Sequence, residues 1–304
     1  MRWMPVALVA LTGCPSDGGG GGKKDKDGTV PNEDFVEVGV GSNSACGLRV
    51  DGTIRCWGSG VWDREPPANA KASALAHGYD ATCWIDADTS ELGCTGLGTY
   101  TYTGYAQTEP PSGTFVDVGV GRSTACALDT DGEVLCWNPS DPYDVDPLGN
   151  IPPGPYTALA VGAGHAVLLR DDGTLETVGS YASTPPSGRL VQVAAGYREA
   201  CATGSDGTMA CWVDDPGYSY VADTPDATGW QQVAAGYLHS CGLADDGSVS
   251  CWGDDAYGQA SPPSGTFQYI AAGGDYSCAV DTDGVLACWG DETYHGSPDN
   301  IPAP

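Results

Sequence analysis

The chain has 304 residues, of which 45 are Gly and 22 Pro, turn-forming residues in quantities that argue against a helical bundle or coiled coil. Twelve Lys and Arg stand against 40 Asp and Glu, for a formal charge of -28. So acidic a body repels phosphate, which excludes nucleic acid as a primary partner and unaided docking on anionic lipid.

Residues 1–14 read MRWMPVALVALTGC. Arg2 supplies a positive charge, Met4 to Leu11 is a short apolar segment, and Leu11-Thr12-Gly13-Cys14 resembles a bacterial lipobox. The resemblance implies cleavage before Cys14 and diacylglycerol attachment to its sulfur. Residues 1–13 then form a lipoprotein signal peptide, and residues 14–34 a lipidated Cys with a flexible Gly-rich linker. Within the linker, DGGGGGKKDKD (17–27) has nothing to bury. Asp25-Lys26-Asp27-Gly28 faintly resembles a calcium loop, but Lys23 occupies the first ligand position, so tether is the reading. Past residue 30 no apolar run approaches the length that spans a bilayer.

Self-similarity organises residues 35–304. FVEVGVG (35–41), FVDVGVG (115–121), LVQVAAG (190–196), WQQVAAG (230–236) and FQYIAAG (267–273) are copies of one strand, with weaker copies at 72–78 and 156–162. The closing glycines at 41, 78, 121, 162, 196, 236 and 273 set a period of about 39. After each, the usual order is a Cys, a turn Gly and a second Cys, as in ACALDTDGEVLCW (125–137). Asp-Gly between alternating apolar segments signals a β-hairpin. With Thr130-Asp131-Gly132 as the loop, Cys126 falls opposite Cys136 at a pair where side chains come closest.

The spacing therefore predicts disulfides 46/56, 83/94, 126/136, 201/211, 241/251 and 278/288: Cys46 with Cys56, Cys83 with Cys94, Cys126 with Cys136, Cys201 with Cys211, Cys241 with Cys251, and Cys278 with Cys288. The fourth unit has Val167 and Thr177 at the two positions, so both thiols vanish together, and of thirteen cysteines only Cys14 is left over. One two-cysteine pair per unit cannot alone make a four-ligand zinc site. Oxidation also fits export. Three strands per unit are readable, and a fourth is expected in stretches such as 99–105 and 218–223. Short strands at even spacing in seven units predict an all-β fold, a seven-bladed β-propeller with an intra-hairpin disulfide in six of seven repeats, as one domain over 35–304.

PPSGTF at 110–115 and 262–267, and Trp252-Gly253 followed by Gly258-Gln259, resemble the repeat of the regulator of chromosome condensation family. A secreted bacterial branch, which includes the beta-lactamase inhibitor protein II, is similar in layout. The resemblance implies a propeller that binds another protein with loops on one face. Nuclear members act as guanine-nucleotide exchange factors and dock on nucleosomes. An acidic, exported chain suits neither activity, and exchange is kept only as a remote alternative.

No residue set marks catalysis, and no cofactor is expected. His165 and His239 share one repeat slot and read as structural hydrogen bonds inside the blade. Asp131, Asp172, Asp206, Asp246 and Asp283, each before a Gly, read as turn residues rather than calcium ligands. The tryptophans after the second Cys (57, 137, 212, 252, 289) read as packing between blades. The residue after each closing Gly differs between units, and these loops should ring one end of the propeller. Tyr79, Arg122, Tyr197 and Tyr237 there, with Tyr276 close by, are the expected partner-binding surface, because Tyr and Arg dominate the energetic centres of interfaces. From 200 to 304 there are 15 acidic residues and no Lys or Arg, a field that would steer a basic partner. The resulting expectation is a monomeric, non-enzymatic cell-envelope lipoprotein that binds protein as an inhibitor, adhesin or scaffold, with glycan binding as the alternative.

Overall fold

The computed structural model describes residues 34–58, 65–79, 81–96, 109–122, 124–137, 148, 151–179, 185–213 and 224–291. They form twenty-one strands and no helix, arranged as seven three-stranded antiparallel sheets, each drawn from consecutive strands. The first strands are β1 (Phe35–Val40), β4 (Ala72–His77), β7 (Phe115–Val120), β10 (Tyr156–Val161), β13 (Leu190–Ala195), β16 (Trp230–Ala235) and β19 (Phe267–Ala272). Each pairs with a middle strand: β2 (Ser44–Arg49), β5 (Ala81–Asp86), β8 (Ala125–Asp129), β11 (His165–Arg170), β14 (Glu199–Gly204), β17 (His239–Ala244) and β20 (Tyr276–Asp281). The outer strands are β3 (Ile54–Gly58), β6 (Leu92–Gly96), β9 (Val134–Trp137), β12 (Leu175–Gly179), β15 (Met209–Val213), β18 (Val249–Gly253) and β21 (Leu286–Gly290).

The hairpin register is the one the Asp-Gly turns dictate. Cys126 lies opposite Cys136 and Leu128 opposite Val134, and all six disulfides form between directly opposed residues. In the fourth blade Val167 faces Thr177 at the same place. The turn aspartates are occupied locally: Asp172, Asp206 and Asp246 each accept both the backbone N–H and the hydroxyl of the Thr or Ser two residues on. Where that hydroxyl is absent, at Glu133 and Val285, Asp129 and Asp281 cap the turn instead of Asp131 and Asp283.

Blades pack face to face, and the disulfide of one blade meets the Trp of the next. Trp57 packs with Cys278, Trp137 with Cys83, Trp252 with Cys201 and Trp289 with Cys241. The second blade has Thr95 after its second Cys, and Trp84 from the neighbouring middle strand covers the first disulfide in its place. Gly93, across from Trp84, leaves the room, since a methyl group there would overlap the indole. The cluster of Phe35, Val38 and Trp57 with Tyr276, Val280 and Leu286 joins the seventh blade to the first, so the ring closes.

Every first strand carries a bulge that the sequence reading did not anticipate. The register shifts between Phe35 and Glu37 and at the same place in the other six blades. A bulge adds an unpaired residue and re-aims its neighbours. It leaves Val36, Val116 and Val191 exposed and turns the following side chain toward the next blade. The proposed signal, Cys14, the linker, the fourth-strand stretches 99–105 and 218–223, and His295 lie outside the described residues.

Candidate functional site

The floor of the site is a ring of seven glycines. A methyl group built on Gly41, Gly78, Gly121, Gly162, Gly196, Gly236 or Gly273 would lie within 2.6 Å of the carbonyl oxygen of the next glycine, the last meeting the first. Only a residue without a Cβ permits that approach. Each of these glycines also donates its N–H to the first residues of the middle strand, for example Gly41 to Ser44 O at 2.9 Å and Gly236 to His239 O at 2.8 Å. The turns above the floor are therefore short and fixed.

The next residue in each turn projects around a shallow cavity of about 100 Å³, lined by Ser42, Tyr79, Arg122, Ala163, Tyr197, Tyr237 and Gly274 over the glycine floor. Four of the five expected binding residues thus share one mouth. The backbones of the three tyrosines are held by the following blade: Tyr79 N donates to Gly121 O (3.3 Å), Tyr197 N to Gly236 O (3.0 Å) and Tyr237 N to Gly274 O (3.2 Å). The rings of Tyr197 and Tyr237 lie 4.4 Å apart at 38°. The Arg122 guanidinium sits 5.5 Å over the Tyr79 ring, and that of Arg198 sits 5.9 Å from the Tyr197 ring. Tyr79 and Tyr237 are 40% and 39% exposed, unusual for rings with no covering element. Asp275 follows Gly274 outside the lining of the cavity, and burial first, then the charges of Asp254 and Asp291, raise its carboxyl above the usual range.

Tyr276 is the exception. It is 2% exposed and belongs to the core between the seventh and first blades, where burial drives its phenol far above the ordinary value. It occupies the slot two residues before the first Cys, the slot of His165 and His239, which is buried in all seven blades (Ser44, Ala81, Thr124, His165, Glu199, His239, Tyr276). Counting back from the cysteines would have excluded it from the surface.

The same slot corrects the reading of the histidines. His239 Nε2 meets Ser277 Oγ of the following blade at 2.8 Å, so the bond runs between blades rather than inside one. Glu199 in that slot accepts Ser240 Oγ at 2.6 Å, and burial raises its pKa to about 7. Burial lowers His165 and His239 to about 4.

A second inward ring escaped the sequence reading. The residue after each bulge is Glu37, Ala74, Asp117, Ala158, Gln192, Gln232 or Tyr269. Gln192 accepts from Val233 N (2.9 Å) and donates to Val233 O (3.0 Å), and Gln232 does the same with Ile270. Asp117 accepts from Val118 N and Leu159 N. Glu37 accepts from Leu75 N–H and from the Tyr269 hydroxyl. These side chains satisfy backbone groups on the free inner edge of the first strand in four following blades, where an unpaired amide would be costly. Desolvation first, and then the charge of Asp117, raise Glu37 to about 8; desolvation raises Asp117 to about 6. The signal was present in FVE, FVD, LVQ, WQQ and FQY, where a polar or hydroxyl-bearing residue recurs in an apolar strand.

The mouth presents π faces, phenolic hydroxyls and the Arg122 guanidinium. Among the described residues no cluster of three or more His, Cys, Asp or Glu is arranged to hold a metal.

The geometry is that of a repeat propeller, and the description "Regulator of chromosome condensation (RCC1) repeat" matches residues 115–137, 230–259 and 267–295. Within the second match, buried Gln259 accepts the Trp289 indole of the next blade on its carbonyl at 2.9 Å. None of the curated proteins matches the chain. Among solved structures, the CRINKLY WD40 ectodomain of the Arabidopsis thaliana receptor kinase ACR4 is similar at 21% identity and TM-score 0.69, over 88% of this chain and 98% of that one. The ectodomain of the Physcomitrella patens receptor kinase CR4 is similar at 24% identity and TM-score 0.68, over 84% and 72%. Prp20p from Saccharomyces cerevisiae, described with its binding to Gsp1p and histones, is similar at 15% identity and TM-score 0.62, over 81% and 82%. At these identities the likeness is one of fold: an RCC1-like, seven-bladed β-propeller.

Proposed function

We propose that this chain is a non-enzymatic, monomeric protein-binding propeller tethered at the bacterial cell envelope, facing the periplasm or the cell surface. In this reading residues 1–13 are a lipoprotein signal, Cys14 carries the lipid, 14–34 is the tether and 35–304 is the binding domain. The observation that carries it is the convergence of Tyr79, Arg122, Tyr197 and Tyr237 on one mouth, since exposed Tyr and Arg held on a rigid frame are the residues that anchor interfaces. Support also comes from Prp20p, an RCC1-like propeller that binds proteins. The acidic sector from residue 200 onward draws partners with a basic surface. An inhibitor of an envelope enzyme, an adhesin and a scaffold are forms this role can take.

Affinity capture with the oxidised full-length chain, alongside a Tyr79→Ala/Tyr197→Ala/Tyr237→Ala variant, tests the reading. A partner retained by the parent and lost by the variant is the expected result; identical retention by both discards the mouth as the site. The close Tyr197–Tyr237 pair, tilted ring against ring, favours a second reading, a surface lectin. Binding of free oligosaccharide on a glycan array, abolished by the same variant, would select it.

A further inference from the structure

We infer that the segment of the partner entering the mouth carries a carboxylate, seated on the Arg122–Tyr79 pair; this rests on the reading of the mouth as a protein-binding face. Arg122 is exposed, and its guanidinium lies 5.5 Å over the ring of Tyr79 from the preceding blade. Among the described residues the ion pairs join Lys71 to Asp51 and Arg170 to Glu176, and no carboxylate pairs with Arg122. The contact with the Tyr79 ring places the guanidinium at the rim of the mouth. The in-plane N–H groups remain, a planar fork that matches a carboxylate two bonds at a time.

The surroundings favour that occupant over a neutral or basic one. Arg198 brings a second guanidinium to the same arc beside Tyr197, in a chain with only 12 Lys and Arg. A carboxylate is drawn to the Arg122 side of the mouth, which orients the segment. Its apolar neighbours then lie across the Tyr197–Tyr237 pair. The long-range field still favours a basic body, while at physiological salt it is screened beyond about 8 Å and the local arginines decide what enters.

The test is selection of phage-displayed random peptides on the oxidised full-length chain, with Arg122→Gln and the triple tyrosine variant as parallel baits. The parent is expected to enrich Asp or Glu at one position, and Arg122→Gln to lose that enrichment. The best peptide should weaken about tenfold when its acid becomes the amide. It should weaken equally on Arg122→Gln, and no further when both changes are combined. Arg122→Lys should restore less than half of the lost binding free energy, because charge without the fork is incomplete. Unchanged near-ultraviolet circular dichroism shows that each variant folds. Peptides without an acid, retained by Arg122→Gln and lost by the tyrosine variant, overturn the carboxylate and leave the mouth standing. Peptides retained by all three baits, or no enrichment at all, overturn both.

Discussion

The two ends of the ring are built from equally short turns and use them in opposite ways. At the Asp-Gly end the carboxylates of Asp172, Asp206 and Asp246 are turned back onto their own backbones, and Asp129 and Asp281 do the same from two residues earlier, so these turns close on themselves. At the mouth the backbone repeats just as strictly, with glycine after glycine bonded to its own middle strand, but the side chain that follows is Ser, Tyr, Arg, Ala, Tyr, Tyr or Gly in turn. Repetition marks what the fold requires. Variation on an invariant frame marks the positions the fold leaves free for recognition.

The sharpest way to break this comparison is to place a Cβ on the frame itself. Gly121→Val has no space against Gly162 O and should prevent ring closure, a loss above about 4 kcal/mol, read as absent near-ultraviolet dichroism. Ala163→Val, one residue beyond an equivalent glycine and facing the mouth, should stay within about 1 kcal/mol of the parent in urea melts. Equal damage from both would erase the distinction between frame and display.

The inward ring of polar residues makes stability depend on pH. Glu37, raised to about 8, supports the fold below the ordinary carboxylate range, and that support is lost as pH rises toward 8. His165 and His239, lowered to about 4, act in the opposite sense: their support is present above the ordinary His range and lost as pH falls through 4. Asp117 and Glu199, raised to about 6 and about 7, act with Glu37, so stability should fall as pH rises from acidic to alkaline solution. Glu37→Gln should flatten the alkaline limb by a few kcal/mol in denaturation at pH 9 relative to pH 5; an unchanged pH profile would remove Glu37 as its source.

A smaller effect tests the stapling. Val167→Cys/Thr177→Cys, at the one opposed pair lacking a disulfide, should add about 2–3 kcal/mol on the chain-entropy view, read by urea melts with and without reductant. Smallest of all, Tyr237→Ala should leave stability within about 1 kcal/mol while weakening partner binding at least about tenfold. A large loss of stability would make this tyrosine part of the frame.

Most of the frame was legible in the sequence because it is written seven times. Asp-Gly and the cysteine spacing fix the hairpin register, and the paired loss at Val167 and Thr177 confirms that the two positions face each other. Tyr276 was misplaced because chemistry was weighed before register; its distance from Cys278 is that of His239 from Cys241. The bulge after Phe35 was hidden because FVEVGVG alternates well enough to pass for a plain strand. The edge-capping role of Glu37, Asp117, Gln192 and Gln232 was hidden with it, since it depends on backbone from another blade.

The glycine ring also has an evolutionary reading. Because the mouth side chains stand on carbonyls and amides shared between neighbouring blades, any one of them can be exchanged without rebuilding a loop. The seven positions form a varied surface on one repeated backbone geometry. A partner docking there would meet a preorganised face, so little conformational entropy would be lost.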